Sequence, residues 1–423
     1  MSIKIPDFSL VILIGPSSSG KSNFAQKHFK TSEIISLDYC RYLLTDDENN
    51  QTVNKGAFEL MCYLIDKRLS LRRFTVVDAV NVLENTRAEF LKLAKKYHCL
   101  TCALVFNLSE EICNYRNKVR LDRHIDNKII HYQYNQMQYS LMNLKKEGFN
   151  YIFTMNSLDD IIKTKIYKVP LYCDKSYEEG PFDVIGDVHG CYDELKMLLT
   201  KLGYKIKKND EKYNVSHPNN RKVIFLGDLV DRGPKIVEVL KIVMDMVEDR
   251  IAFCVQGNHD NKLYRKLEGR NVQVKNGLED SIKQLKEESE VFKTKVKNFL
   301  KYLDAHLIFD KYRLVTCHAG IKEEYIGRTS KNVRSFTLYG ETTHETDEFG
   351  LPKRYLWAKD YKGKSLILYG HTPNLEPYIL NNTINIDTGC VFGNKLTAYR
   401  YPEDKYVFVK AIDTYSQPAR PIK

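Results

Sequence analysis

Asp187, His189, Asp228, Asn258, His318 and His371 each stand in a short, glycine-bearing block that follows an apolar run. The blocks read GDVHG at 186–190, GDLVDRG at 227–233, GNHD at 257–260, HAG at 318–320 and GHTP at 370–373. Their preceding runs are 182–185, 223–226, 251–255, 313–316 and 365–368. Carboxylate oxygens mixed with imidazole nitrogens suit manganese, iron or zinc better than an all-oxygen calcium site. A lone histidine beside an apolar run is usually a satisfied core residue. Five such blocks in order point instead to titratable groups converging on one sheet edge, the pattern of a metal centre.

A second kind of chemistry is written near the N-terminus. The run GPSSSGKS at 15–22 fits GxxxxGK[ST] between an apolar strand and a helical segment. Gly15 and Gly20 let backbone N–H groups, including those around Ser18 and Ser19, wrap nucleotide phosphates. Lys21 offers a cation to the β- and γ-phosphates and Ser22 a ligand to Mg²⁺. Asp38, at the end of the next β-run, is placed to accept a proton from an attacking hydroxyl, or else to cap a helix. Arg41 is placed to grip an acceptor phosphate, or else is a solvated surface charge. Asp78 ends a further strand and is expected to hold Mg²⁺-bound water at the substrate, or to cap the helix after it. Arg116, Arg120 and Arg123 recur at the spacing of one helix face. They are expected to face a nucleoside triphosphate, the alternative being pairing with Glu110, Glu111, Asp122 or Asp126.

These residues need elements to position them. Short β-like runs at 10–14, 33–37, 74–77, 103–108 and 151–154 alternate with helical spacing, as at 86–96 and 129–146. The pattern predicts an α/β fold with a mostly parallel sheet over residues 1–170. Prolines, glycine and charge at 171–181 suggest a linker, after which a second domain runs from 182 to 410. Residues 261–304 are charged and helix-like, expected as a helical insertion, and 411–423 as a tail.

With 43% apolar residues the 423-residue chain can build sizeable cores. Its net charge of +11 is spread through both halves, which suits a phosphate-rich partner. No apolar stretch approaches the ~20 residues that span a bilayer. The first residues lack the apolar core of a signal peptide, so a cytoplasmic protein without membrane attachment is expected. Ten cysteines, with one CxxC at 99–102, are expected to be reduced thiols.

The five blocks resemble the calcineurin-like metallophosphoesterase superfamily, a β-sandwich flanked by helices. The resemblance implies that Asp187, His189 and Asp228 hold one metal, and that Asp228 bridges to a second held by Asn258, His318 and His371. His259 is then placed to protonate the leaving oxygen, Asp231 to orient His259, and Arg232 to clamp phosphate oxygens. The second histidine of the family's GHxH is absent, since Pro373 follows Thr372. Asp387 is the candidate to fill that region.

A phosphate-cradle domain fused ahead of such a phosphatase resembles the bacterial polynucleotide kinase-phosphatase of RNA repair. The shared stretches are 15–22, 36–41 with the acidic run 46–48, the arginine segment from Arg116, and 257–262. The resemblance implies phosphorylation of 5′-OH ends with ATP or another NTP and Mg²⁺. It also implies removal of 2′,3′-cyclic or terminal phosphates with two divalent metals, Mn²⁺ favoured. Asp38 becomes the general base, Arg41 an acceptor contact, and Arg116 and Arg120 lid residues. The partners implied are RNA or DNA ends, a separate ligase and 2′-O-methyltransferase, and a second copy of the chain.

Two other readings stand beside it. One is a protein or dinucleoside-polyphosphate phosphatase with a regulatory nucleotide-binding domain. The other is a non-enzymatic, nucleotide-gated scaffold, which the nearly full ligand set disfavours.

Overall fold

The alternation at 10–154 becomes a five-stranded sheet in the computed structural model, which describes residues 1–120, 123–209 and 212–422. The chain forms two units, Met1–Leu171 with Arg328–Ser330, and Tyr172–Gly327 with Lys331–Lys423. In the first unit the strands run Ile34–Ser36, Thr75–Asp78, Ser9–Ile14, Leu100–Phe106 and Tyr151–Met155 across the sheet, all parallel. Ser9–Ile14 is buried throughout, as a central parallel strand covered on both faces must be. The loop that leaves it carries residues 15–20 and opens at the carboxyl edge of the sheet, where ligands of open α/β sheets bind.

The second unit stacks two sheets. One has the order Ala252–Cys254, Lys222–Phe225, Phe182–Ile185, Lys395–Tyr401 and Lys405–Lys410. The other runs Tyr378–Leu380, Thr383–Asn385, Leu366–Tyr369, Leu314–Cys317, His306–Phe309 and Asp174–Lys175. Phe182, Val184, Ile224, Phe309, Leu368 and Tyr399, drawn from both sheets, fill the space between them. Helices Tyr192–Leu202 and Ile236–Glu248 cover the first sheet with Leu195, Leu199, Leu240 and Val243. The architecture is the mixed-sheet sandwich with helices expected from the sequence. Within each sheet the strands that precede the motif blocks are parallel, so their carboxyl ends gather at a rim.

Two segments differ from the sequence reading, and a third is helical as expected but built into the core. Within 171–181, Asp174–Lys175 pairs in parallel with His306–Phe309, so part of the supposed linker is an edge strand. The helical stretch comprises Asn258–Leu267, Leu278–Lys286 and Glu290–Tyr302, and its Leu263, Leu278, Val296 and Leu300 enter the main core. Residues 411–422 are anchored: Ile412 N–H donates to Glu194 Oε1 at 2.9 Å and Tyr415 N–H to Val391 O at 3.1 Å. No helix among the described residues is long and apolar enough to cross a membrane.

Candidate metal centre and phosphate cradle

Asp228 lies at the middle of the second unit's rim. Its Oδ2 is 3.5 Å from His189 Nε2 and 3.4 Å from His318 Nε2. Two groups of side chains converge on it closely enough to hold an ion each: His189, Asp228 and His259, and Asp228, His318 and His371. Asn258 Oδ1 is 2.8 Å from His318 Nε2, and His371 Nδ1 lies 2.9 Å from the same nitrogen. Asp187 accepts from the His371 N–H through both oxygens, at 3.2 and 3.1 Å. All the candidate ligands from the motif blocks therefore meet. Asp387 joins them: a Cβ on Gly370 would strike Asp187 Oδ1 and lie 3.5 Å from Asp387 Cβ.

The ring nitrogens are sorted by outer partners. His189 Nδ1 faces Val230 O at 2.8 Å and His318 Nδ1 faces Leu226 O at 2.9 Å. Each Nδ1 therefore donates to a carbonyl and leaves the Nε2 lone pair for the centre, the arrangement that orients metal-binding imidazoles. His371 Nε2 is buried without a hydrogen-bond partner. That orphaned nitrogen, the paired acids and the mixed N/O donor set all fit divalent metals.

The electrostatics agree. Burial, then the neighbouring Asp387, pushes the Asp187 carboxyl well above its usual range. For Asp228 burial acts upward, but His318, His259 and His189 outweigh it and hold the carboxyl well below. Burial opposes and Asp228 and Asp187 favour protonated His318, which lies at about 9. Burial raises Asp387 to about 6. A cation placed here replaces the protons that these acids and His318 would otherwise need.

Local backbone strain shapes the rim. His189, Asp228, Asp231, Arg232 and His371 all have φ between 44 and 72°. Five non-glycine residues in the left-handed region at one site are held there by their surroundings. Gly257 is required for close approach, because a Cβ there would strike the Asp228 backbone and carboxylate. His259 Nδ1 is 2.6 Å from Asp231 Oδ2, which fixes the ring, and Arg232 Nη1 is 3.2 Å from His189 Nε2.

Two supporting residues carried no role in the sequence reading. Asp260 accepts from Gly257 N–H at 2.9 Å and Leu229 N–H at 3.0 Å, tying the GNHD and GDLVDRG loops together. Burial, then Asp228, raises its carboxyl to about 7. Ser281 receives the Asp231 N–H at 2.9 Å. The fourth position of GNHD was the available signal for Asp260, whereas Ser281 had none.

In the first unit Lys21 Nζ donates to Gly15 O at 2.9 Å and Pro16 O at 2.8 Å. Burial lowers it to about 8, against the pull of Asp78 and Asp38. Asp78 ends its strand as expected; burial raises its carboxyl, while Lys21 and a hydrogen bond with Ser22 oppose. The helix after it begins at Glu84 with no side-chain cap, so Asp78 does not cap it. Asp38 sits in the first turn of Leu37–Thr45, beyond the strand end, and Ser36 takes the capping role. Arg41 is buried, bonded to Asp38, to Glu48 O at 2.6 Å and to Asn54 Oδ1 at 3.0 Å. A cavity of about 770 Å³ joins Ser18, Lys21, Ser22, Asp38, Asp78 and Arg120.

The arginine series is corrected by the structure. Its helix is only Glu110–Lys118, so Arg116, Arg120 and Arg123 do not share a helical face. Asn117 turns the chain away: its side chain donates to Ile125 O at 2.7 Å and accepts from Ile125 N–H at 3.1 Å, competing with helix propagation. Arg116 lies over Gly20, where a Cβ would come within 3.2 Å of Nη2. Arg123 Nη1 donates to Asp38 Oδ2 at 3.1 Å and lines the same cavity as Lys21 and Ser22. Among the alternative partners, Glu110 bonds His131 and Asp126 caps the next helix, while Asp122 lies outside the described residues. None of the ten cysteines is in a disulfide, and burial pushes the Cys99 and Cys102 thiols up.

Known families match both units. A model described as AAA domain matches residues 10–143, and one described as calcineurin-like phosphoesterase matches residues 180–409. The asymmetrical bis(5′-nucleosyl)-tetraphosphatase PrpE of Oceanobacillus iheyensis is 47% identical over 231 residues, 54% of this chain and 91% of that protein. The proteins of the same name from Anoxybacillus flavithermus and Halalkalibacterium halodurans are 48% and 47% identical. Those matches cover 55% and 54% of this chain and 96% and 93% of the relatives. On the phosphoesterase match and these identities, the chain belongs to the calcineurin-like phosphoesterase family.

Proposed function

We propose that the second unit is a two-metal hydrolase of bis(5′-nucleosyl) tetraphosphates. The observation that carries the proposal is the single Asp228 carboxylate shared by two groups of side chains, each close enough to hold an ion. The relatives' name favours this substrate over the 2′- and 3′-phosphate ends implied by the sequence resemblance. In the proposal Asp187, His189, Asp228 and Asp387 hold one cation, and Asn258, His318 and His371, with Asp228, the other. The bound cations would supply Lewis-acid activation of the phosphate and of an attacking water. Arg232 grips the phosphate under attack. His259, oriented by Asp231, gives a proton to the departing oxygen, so that the P–O bond breaks without leaving a free anion.

The purified chain with Mn²⁺ and bis(5′-adenosyl) tetraphosphate is expected to yield ATP and AMP in equal amounts. Asp228→Asn should lower kcat/KM by at least ~100-fold, the upper range for loss of a mere outer partner of a metal ligand. Absence of product from the native chain rejects the tetraphosphate.

A second reading, nucleic-acid end healing, is favoured by the first unit, which adds a phosphate cradle with Asp38 held by Arg41 and Arg123. In that reading the cradle binds NTP and Asp38 accepts the proton of a 5′-hydroxyl. Asp38→Asn is expected to abolish label transfer from γ-labelled ATP to a 5′-OH oligonucleotide. The fold should change by no more than ~1 kcal/mol, because Asp38 is partly exposed. Undiminished transfer by the variant, or none by the native chain, rejects it.

A further inference from the structure

Two arginines approach the metal centre from segments with no assigned role. Arg354 lies on a hairpin of Glu341–Thr346 and Pro352–Tyr355. The hairpin is rooted on the His318 loop: Ala319 N–H donates to Thr337 O at 2.7 Å, and Trp357 Nε1 to Ala319 O at 3.2 Å. Arg354 Nη1 donates to Tyr339 O at 2.7 Å. A Cβ on Gly340 would lie 3.7 Å from Ala319 O and 3.8 Å from Arg354 Nη1, so this guanidinium stands close to the backbone that follows His318.

No carboxylate among the described residues pairs with Arg354, and its side chain is exposed. Arg420, whose charge bears on Arg354, sits on the anchored C-terminal segment and pairs with Asp347 at 3.1 Å. That segment ends beside the Asp387 loop, where a Cβ on Gly389 would come within 2.9 Å of Ile422. Arg232 occupies the other flank, against His189. A single phosphate held by two cations and Arg232 leaves Arg354 without an anionic partner, while Arg420 behind it is paired with Asp347. A phosphoanhydride chain carries a negative charge on every successive phosphate and matches the Arg354 guanidinium, with Arg420 adding to the positive field.

We propose that Arg354 is a specificity-determining residue that, with Arg420 behind it, holds the phosphates beyond the one under attack. This rests on the tetraphosphate reading but is tested by binding, which does not require turnover. Calorimetry on the full chain with Mn²⁺ in excess would measure the affinity of orthophosphate, tripolyphosphate and a non-hydrolysable bis(5′-nucleosyl) tetraphosphate. Arg354→Ala is expected to weaken both polyphosphates at least tenfold and orthophosphate less than threefold. Arg420→Ala should weaken them by a smaller factor, and Arg354→Lys should restore part of the loss.

An equal loss for orthophosphate makes Arg354 part of the clamp on the cleaved phosphate and overturns the proposal, as does no loss at all. A loss confined to the tetraphosphate assigns the site to nucleotide-borne chains; a loss shared with tripolyphosphate assigns it to the phosphate run itself. The tetraphosphate reading fails separately, through absence of ATP and AMP with the native chain.

Discussion

Asp260 shows how a single buried side chain can set a site without touching the reacting atoms. Its two oxygens take the N–H groups of Gly257 and Leu229, and so keep the Asn258 and Asp228 backbones in register. Asp260→Ala leaves two buried donors unsatisfied and is expected to cost about 2–6 kcal/mol, at roughly 1–3 kcal/mol per group. Urea unfolding measures that cost, and metal titration should show affinity falling by about 10–100-fold. Unchanged metal affinity in a destabilised variant would reduce Asp260 to a purely structural residue. The ligands themselves were legible because each block is local: an apolar run, a glycine, then the acid or histidine. Asp260 was visible in its block without a role. Ser281 was not, since only the fold brings it 50 positions back to Asp231. Arg354 sits in a hairpin that carries no apolar period to mark it.

At the level of elements, long buried strands were easier to find than edges and ends. The central strand Ser9–Ile14 has a continuous apolar run, whereas the two-residue strand Asp174–Lys175 has no period and hides among linker-like residues. The arginine helix stops at Lys118 because Asn117 bonds forward to Ile125, and spacing alone does not register that competition. A testable consequence concerns the bridge between Val255 and Asp304, which ties the strand leading to the Asn258 block to the end of the last helix of the 258–302 stretch. Burial raises the Asp304 carboxyl to about 6, against Lys175 and Arg334. The folded state therefore holds this proton more tightly than the unfolded chain, whose carboxyl titrates near 3.8. Its stabilising protonation is present below the unfolded value and is lost as pH rises through about 6. Asp304→Asn should be more stable than the native chain at pH 7, by on the order of 1–3 kcal/mol, with the gain fading toward pH 4. Denaturant midpoints across pH 4–8 would show it. A constant difference over that range would contradict the assignment.

On the scale of the whole molecule, two candidate sites occupy one chain, the Lys21 loop in the first unit and the Asp228 centre in the second. The two-domain reading followed from the break in pattern at 171–181, and the sandwich from the family resemblance that the ordered motif blocks carry. Substrate choice did not follow, since it depends on groups such as Arg354 that no motif encodes. The relatives turned the phosphatase reading toward tetraphosphates, with the sequence resemblance surviving as the second proposal. The central claim is that Asp228 joins two cations. Diffraction from Mn²⁺-soaked crystals, with anomalous maps at the manganese edge, tests it most directly. Two anomalous peaks, both touching Asp228, one beside His189 and the other beside His318 and His371, are expected. A single peak, or peaks that leave Asp228 uncoordinated, would contradict the account.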